Sequence, residues 1–474
     1  MLIQSQSTSA PYPEPNRLRR NNGMHCDRGR LIRLLATALG LAFVVGSIAA
    51  GRAEPGDVQA ASATSNMPRQ DGRRWNLLDA AKYLDDRMDI WFANAKKLRT
   101  ADGQTVCVSC HTTVPYVLAR PTLRRALHQT NPTAQEQRLL SETLRRVQSY
   151  DAHQLFYDHT EMKKTESRGT EAVLNAFVLM SVDLTQSRRS EAKRHPVSIK
   201  AAITNPSTIV SKSIESSKFD SNSINPSDVV RRQELGAAVQ LAFKRLWETQ
   251  RSDGAWDWLD FGLEPFETSD GAYFGATLAA LAVGSRRDDS SNSAETKSGI
   301  ERLREYLKQN YDRQSLFNRI WLLLASTRLN DLMTAPQRTS LIAEIQNRQR
   351  DDGGWALESL GTWRWSKSVG PFRPPGAPDA SLLLQSDGYA TGLIVYTLRQ
   401  TGFKTDLPAV SRGLRWLRNS QRDVQIGPHH WYAWRAHSLN FDREQNTDKG
   451  EPWRRMFMSD SATAFAALAL AVSE

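Results

Sequence analysis

The chain has 474 residues, 40% of them hydrophobic and 13 of them tryptophan, enough to bury one large core or two domains. Its net charge of +11 is unevenly placed: seven arginines against Glu14 and Asp27 put +5 in residues 1–53 and leave +6 on the rest. A surplus that small, with no basic run interleaved with aromatics, excludes a nucleic-acid partner. Three cysteines are too few for a four-cysteine zinc site.

Residues 1–53 read as an export signal. Arg17, Arg19, Arg20, Arg28, Arg30 and Arg33 precede an apolar run at 34–50, and the small residues Gly51 and Ala53 offer a cleavage point before Glu54. The run has 17 residues, the short limit for crossing a bilayer, so it serves alternatively as an uncleaved anchor associated with a membrane. In both cases the remainder is expected in the periplasm or otherwise outside the cytoplasm. Residues 54–74 read as a linker.

The segment 75–134 holds the most informative run, Cys107-Val108-Ser109-Cys110-His111. Cys-x-x-Cys-His is the attachment signature of a c-type haem. Two thiols three positions apart add to the two vinyl groups of one haem, and the imidazole that follows reaches the iron as proximal ligand. Cys107, Cys110 and His111 are therefore the candidate residues for covalent haem c, against a structural disulfide or a zinc half-site as the alternatives. For the distal position the candidates are the cluster His153, His159 and Met162, residue types that are more often ordinary surface or core side chains.

Helical patterns fill the rest. Gln250-Arg251-Ser252-Asp253-Gly254-Ala255-Trp256 recurs 99 residues later as Gln349-Arg350-Asp351-Asp352-Gly353-Gly354-Trp355, with a degraded third copy from Gln421 to Trp431. Each full copy follows an amphipathic stretch, 234–248 and 337–348, and precedes a helix opened by Ser269-Asp270-Gly271 or Ser386-Asp387-Gly388. Ser459-Asp460-Ser461 opens another, and residues 166–170 a weaker one. The helices after these caps, such as 275–283 and 393–398, are apolar nearly all round and belong inside; the amphipathic ones belong outside. Candidate hairpins are 135–180, 232–284, 297–328, 337–400 and 408–473, with 77–130 as a candidate sixth. Residues 187–227, with eleven serines and the single aromatic Phe219, read as a disordered insert, and 361–378 as a long loop rich in tryptophan and proline.

The Gln-x-x-Asp-Gly-x-Trp copies resemble the QW motifs of the squalene cyclase and prenyltransferase α/α-toroid superfamily, over residues 135–474. The resemblance implies an all-α fold, an (α/α)5-6 toroid of concentric helices, here with an N-terminal haem-c segment as in similar exported bacterial proteins. The family's chemistry does not carry over. Where squalene-hopene cyclases have an Asp-x-Asp-Asp-Thr-Ala proton donor, this chain has Ser459-Asp460-Ser461-Ala462-Thr463-Ala464, with one acid. Residues 135–474 also contain no cysteine for a prenyltransferase zinc or a thioester. Asp270, Asp387 and Asp460 read as helix caps or, alternatively, as the lining of a shared central cavity. The expected function is an exported haem protein that exchanges electrons with an unidentified redox partner. One alternative is a haem-dependent oxidoreductase acting on an isoprenoid or other apolar molecule in the toroid cavity. The other is a non-catalytic binding module with structural haem.

Overall fold

The computed structural model describes residues 75–101, 103–194, 226–286, 293–363, 380–426, 428–440 and 452–471, all within the unit Arg69–Glu474. The signal or anchor expected at 1–53, the linker at 54–74 and the loop beyond Trp363 lie outside the described residues. The chain is mostly helical, with α1 (Leu77–Asn94), α2 (Thr113–Ala126), α3 (Ala134–Gln148), α4 (Glu161–Arg194), α5 (Pro226–Glu248), α6 (Gly271–Gly284) and α7 (Ala294–Gln309). There follow α8 (Leu316–Ala325), α9 (Ala335–Asn347), the short α10 (Ala380–Leu383), α11 (Gly388–Gln400), α12 (Pro408–Ser420) and α13 (Phe457–Ala471). Two antiparallel hairpins were not expected: β1 (Lys97–Thr100) with β2 (Gly103–Val106), and β3 (Arg422–Ile426) with β4 (His429–Ala433).

Several boundaries differ from the sequence reading. The insert expected at 187–227 is narrower, because α4 continues to Arg194 and α5 starts at Pro226; residues 195–225 lie outside the described residues. Helix α4 also begins at Glu161, upstream of the cap expected at 166–170.

Hydrophobic pattern sorts the helices into two sets. Helices α6, α8, α11 and α13 are buried along most of their length, whereas α3, α7 and α12 bury one stripe and expose the rest. Together with α2 and α4, the buried set has a simple order of contacts: α2 packs on α4, α4 on α6, α6 on α8, α8 on α11, α11 on α13, and α13 again on α2. Against that cycle pack α1 on α2 and α13, α3 and α5 on α4, α7 on α6, α9 on α8, and α12 on α11. Residues 75–134 thus share one hydrophobic cluster with the rest, Tyr83 and Val114 belonging to the same core as Phe465.

Aromatic rings fill the space between the buried helices. Phe266, Phe274, Phe317, Tyr389 and Phe465 form a chain with ring centroids 5.4, 6.1, 6.0 and 5.6 Å apart. At the end of α2 remote from His111, a cavity of about 110 Å³ remains, lined by Val117, Phe177, Leu281, Leu324 and Tyr396.

The two motif copies make the same bonds. Gln250 Nε2 donates to Gly254 O (3.0 Å) and to Gly299 O of α7 (2.9 Å), joining the end of α5 to the next polar-faced helix. Gln349 Nε2 donates to Gly353 O (2.8 Å) and to Ala409 O of α12 (2.9 Å). Trp256 and Trp355 each donate Nε1, at 2.8 Å, to a carbonyl in the last turn of the preceding helix, Leu246 and Ile345, where the helix's own ladder of bonds runs out.

The third copy needs correction. Trp434, not Trp431, donates to Leu417 O at 2.8 Å, and Trp431 instead donates to Asp86. The β3–β4 hairpin stretches the spacing from 10 residues to 17, so a fixed offset picks the wrong tryptophan. Gln421 still does the work of Gln250 and Gln349. It donates to Tyr432 O (3.2 Å), and its Oε1 accepts from Asn76 N (2.8 Å), linking α12 to the cap of α1.

Gly254 has φ +96°, and a Cβ there would lie 2.0 Å from Arg302 O. Gly254→Ala should therefore cost at least about 1 kcal/mol, whereas Gly236→Ala in α5, with open space around it, should be neutral or mildly stabilising. Urea unfolding of the two variants checks the contrast.

Candidate functional site

The motif Cys107–His111 sits between β2 and α2, and side chains from distant helices hold it. Ser109 Oγ accepts from Thr112 N (3.3 Å) and Thr113 N (3.1 Å), so the second variable residue of the motif caps α2. Trp91 of α1 donates Nε1 to Cys107 O at 3.1 Å. From α13, Ser461 donates its hydroxyl to His111 O at 2.9 Å. The half-buried His111 ring stacks on Phe457, centroids 3.8 Å apart at 17°, and meets the edge of Trp91 at 5.5 Å.

Neither Cys107 nor Cys110 is bridged. Burial pushes the Cys107 thiol up to about 12 and raises Cys110 as well. Both remain protonated at neutral pH, the opposite of a redox-active Cys-x-x-Cys, whose attacking thiol is depressed.

Behind the histidine lies a buried polar network. His111 Nδ1 is 2.8 Å from Thr112 Oγ1, and Thr112 donates its hydroxyl to Asp460 Oδ2 at 2.6 Å. Arg87 of α1 grips the same carboxylate, Nε to Oδ1 at 2.6 Å and Nη2 to Oδ2 at 3.1 Å, and Tyr83 donates to Oδ1 at 2.7 Å. Asp460 is 1% exposed and Arg87 2%. Burial alone would lower Arg87, but Asp460 and Tyr83 together more than offset it and the guanidinium stays charged. Burial and Asp460 raise Tyr83 well above its ordinary range, so its hydroxyl stays a donor.

This corrects the reading of Asp460 as a cap, because α13 begins three residues earlier, at Phe457, and the carboxylate is spent on Arg87. Of the other two acids, Asp387 does cap, accepting from Tyr389 N and Ala390 N. Asp270 stands before α6 without a side-chain cap bond.

A second charged cluster bears on Cys107. Glu171 pairs with Arg146 and, at 2.8 Å, with His153 Nε2; burial pushes its carboxyl up, but Arg146 and His153 outweigh burial and hold it low. Arg146 and Glu171 both act electrostatically on Cys107. Of the distal candidates, His153 is buried here with each ring nitrogen facing an oxygen, Ser149 O at 3.0 Å and Glu171. His159 and Met162 are exposed, Met162 by 54%. Thr112, Arg87, Tyr83, Trp91 and Glu171 were missed as site residues. One signal was present: Tyr83 and Arg87 lie four apart on a stripe of α1 that also carries Leu84 and Met88.

Among the described residues no three His, Cys, Asp or Glu side chains gather as a metal site, and no helix is long and apolar enough to cross a membrane. No protein-family model and no curated protein matches the chain. The residue types at 107–111 fit a c-type haem: two unbridged thiols and one histidine, in a loop whose backbone is held at Cys107 by Trp91 and at His111 by Ser461.

Proposed function

We propose that the chain is an extracytoplasmic c-type haem protein with an electron-transfer role, in which an α/α toroid of six helix pairs carries the haem motif at one end. The cyclic order of contacts among the buried helices supports the toroid. The observation that carries the haem reading is the Cys107–His111 loop, fixed from α1 by Trp91 and from α13 by Ser461 and Asp460. Cys107 and Cys110 would hold the group through thioethers, and His111 would face the iron. Haem so bound supplies a one-electron iron couple.

Among the described residues, the aromatic packing between the buried helices supports transfer over conversion of an isoprenoid. Sites for small-molecule ligands occupy roughly 300–1,000 Å³. The cavity at the remote end of α2 has about 110 Å³, and aromatic rings occupy the space between the buried helices. Export, with residues 34–50 either removed or left as an anchor, belongs to the same proposal.

The test is a denaturing gel of the exported protein stained for haem peroxidase activity. The polypeptide band should stain, and Cys107→Ser with Cys110→Ser should abolish the stain. A double variant that still stains, or an unsubstituted chain that never does, contradicts the assignment.

A further inference from the structure

We propose that Asp460, acting through the Thr112 hydroxyl, is a positioning residue for His111, fixing which imidazole nitrogen faces the iron and how strongly it donates. The inference rests on the haem reading above and deepens it. A threonine hydroxyl has one proton. At 2.6 Å from a carboxylate that Arg87 and Tyr83 keep engaged as an acceptor, Thr112 gives that proton to Asp460. The 2.8 Å contact between Thr112 Oγ1 and His111 Nδ1 must then take its hydrogen from the imidazole. In the neutral ring this places the proton on Nδ1 and the lone pair on Nε2, the tautomer in which Nε2 can ligate iron.

The relay ends on a negative charge, so it also pulls on the Nδ1 proton and increases the electron density that His111 offers. Greater donation stabilises the ferric state and lowers the reduction potential. Structural placement of the ring is already supplied by Phe457, Trp91 and the Ser461 bond to His111 O. The Thr112–Asp460 contact spans 348 residues of sequence and adds a hydrogen-bonding constraint that packing alone does not give.

Thr112→Val and Thr112→Ser in the haem-loaded, exported chain separate the two roles. Valine keeps the shape and removes the hydroxyl; serine keeps the hydroxyl. The Thr112→Val protein should carry covalent haem with a midpoint potential shifted positive, and Thr112→Ser should stay near the unsubstituted value. An unshifted potential in Thr112→Val, or equal shifts in both, overturns the proposal while leaving the haem assignment intact. An unsubstituted chain without haem overturns both. A second measurement does not depend on how Thr112→Val folds: nitrogen NMR of His111 in the full chain with Cys107→Ser and Cys110→Ser should show the proton on Nδ1, and a proton on Nε2 alone contradicts the relay.

Discussion

Asp460→Ala should destabilise the protein by about 3–5 kcal/mol, because it strands a buried guanidinium with no opposite charge. Arg87 is 2% exposed, and it would keep Trp453 O, at 2.7 Å, but no opposite charge at that carboxylate's place; Tyr83 and Thr112 would lose their acceptor as well. A helix cap would behave differently, since removing one costs about 1 kcal/mol. The size of the loss in urea unfolding thus decides between ion pair and cap. A double replacement, Arg87→Met with Asp460→Leu, should recover much of it, because a buried pair exchanged for apolar side chains is often neutral. Strict additivity of the two single changes would show that the side chains do not act as a unit.

The second large effect is expected at the motif tryptophans. Trp256, Trp355 and Trp434 are all fully buried, and each closes the last turn of a helix through its indole N–H. Truncation to alanine should cost about 3–5 kcal/mol at each, from lost burial and the cavity left behind. Trp431 is also buried, but its Nε1 meets the Asp86 carboxylate, so Trp431→Ala should lose burial without opening the end of α12. Losses under about 1 kcal/mol at all three buried tryptophans would contradict their equivalence.

The positions where sequence reading succeeded are those where one local rule acts alone. Apolar runs with no polar face, as in 275–283, can only be interior helices, and the glutamine and tryptophan of the repeated heptapeptides stand at the ends of α5 and α9. The rest depended on long-range pairing. Asp460 looks like a cap because Ser-Asp-Ser is common at helix starts, and only the approach of α1 shows that its charge belongs to Arg87. The shift from Trp431 to Trp434 comes from a hairpin inserted inside the motif. The β1–β2 hairpin was more accessible: a glycine stands between the alternating residues 97–100 and 104–106, and Gly103 opens β2 opposite Thr100 with φ +140°. The Cys107–His111 run was legible at once as a motif, while the side chains that hold its backbone come from α1 and α13, at opposite ends of the described chain.

The most direct test of the central claim is the absorption spectrum of the exported protein, oxidised and then reduced, recorded again after extraction with acidified organic solvent. A thioether-bound haem should give a spectrum that changes reversibly with reduction and stays with the polypeptide after extraction. A colourless protein, or colour that leaves entirely with the solvent, would contradict a c-type haem at Cys107, Cys110 and His111.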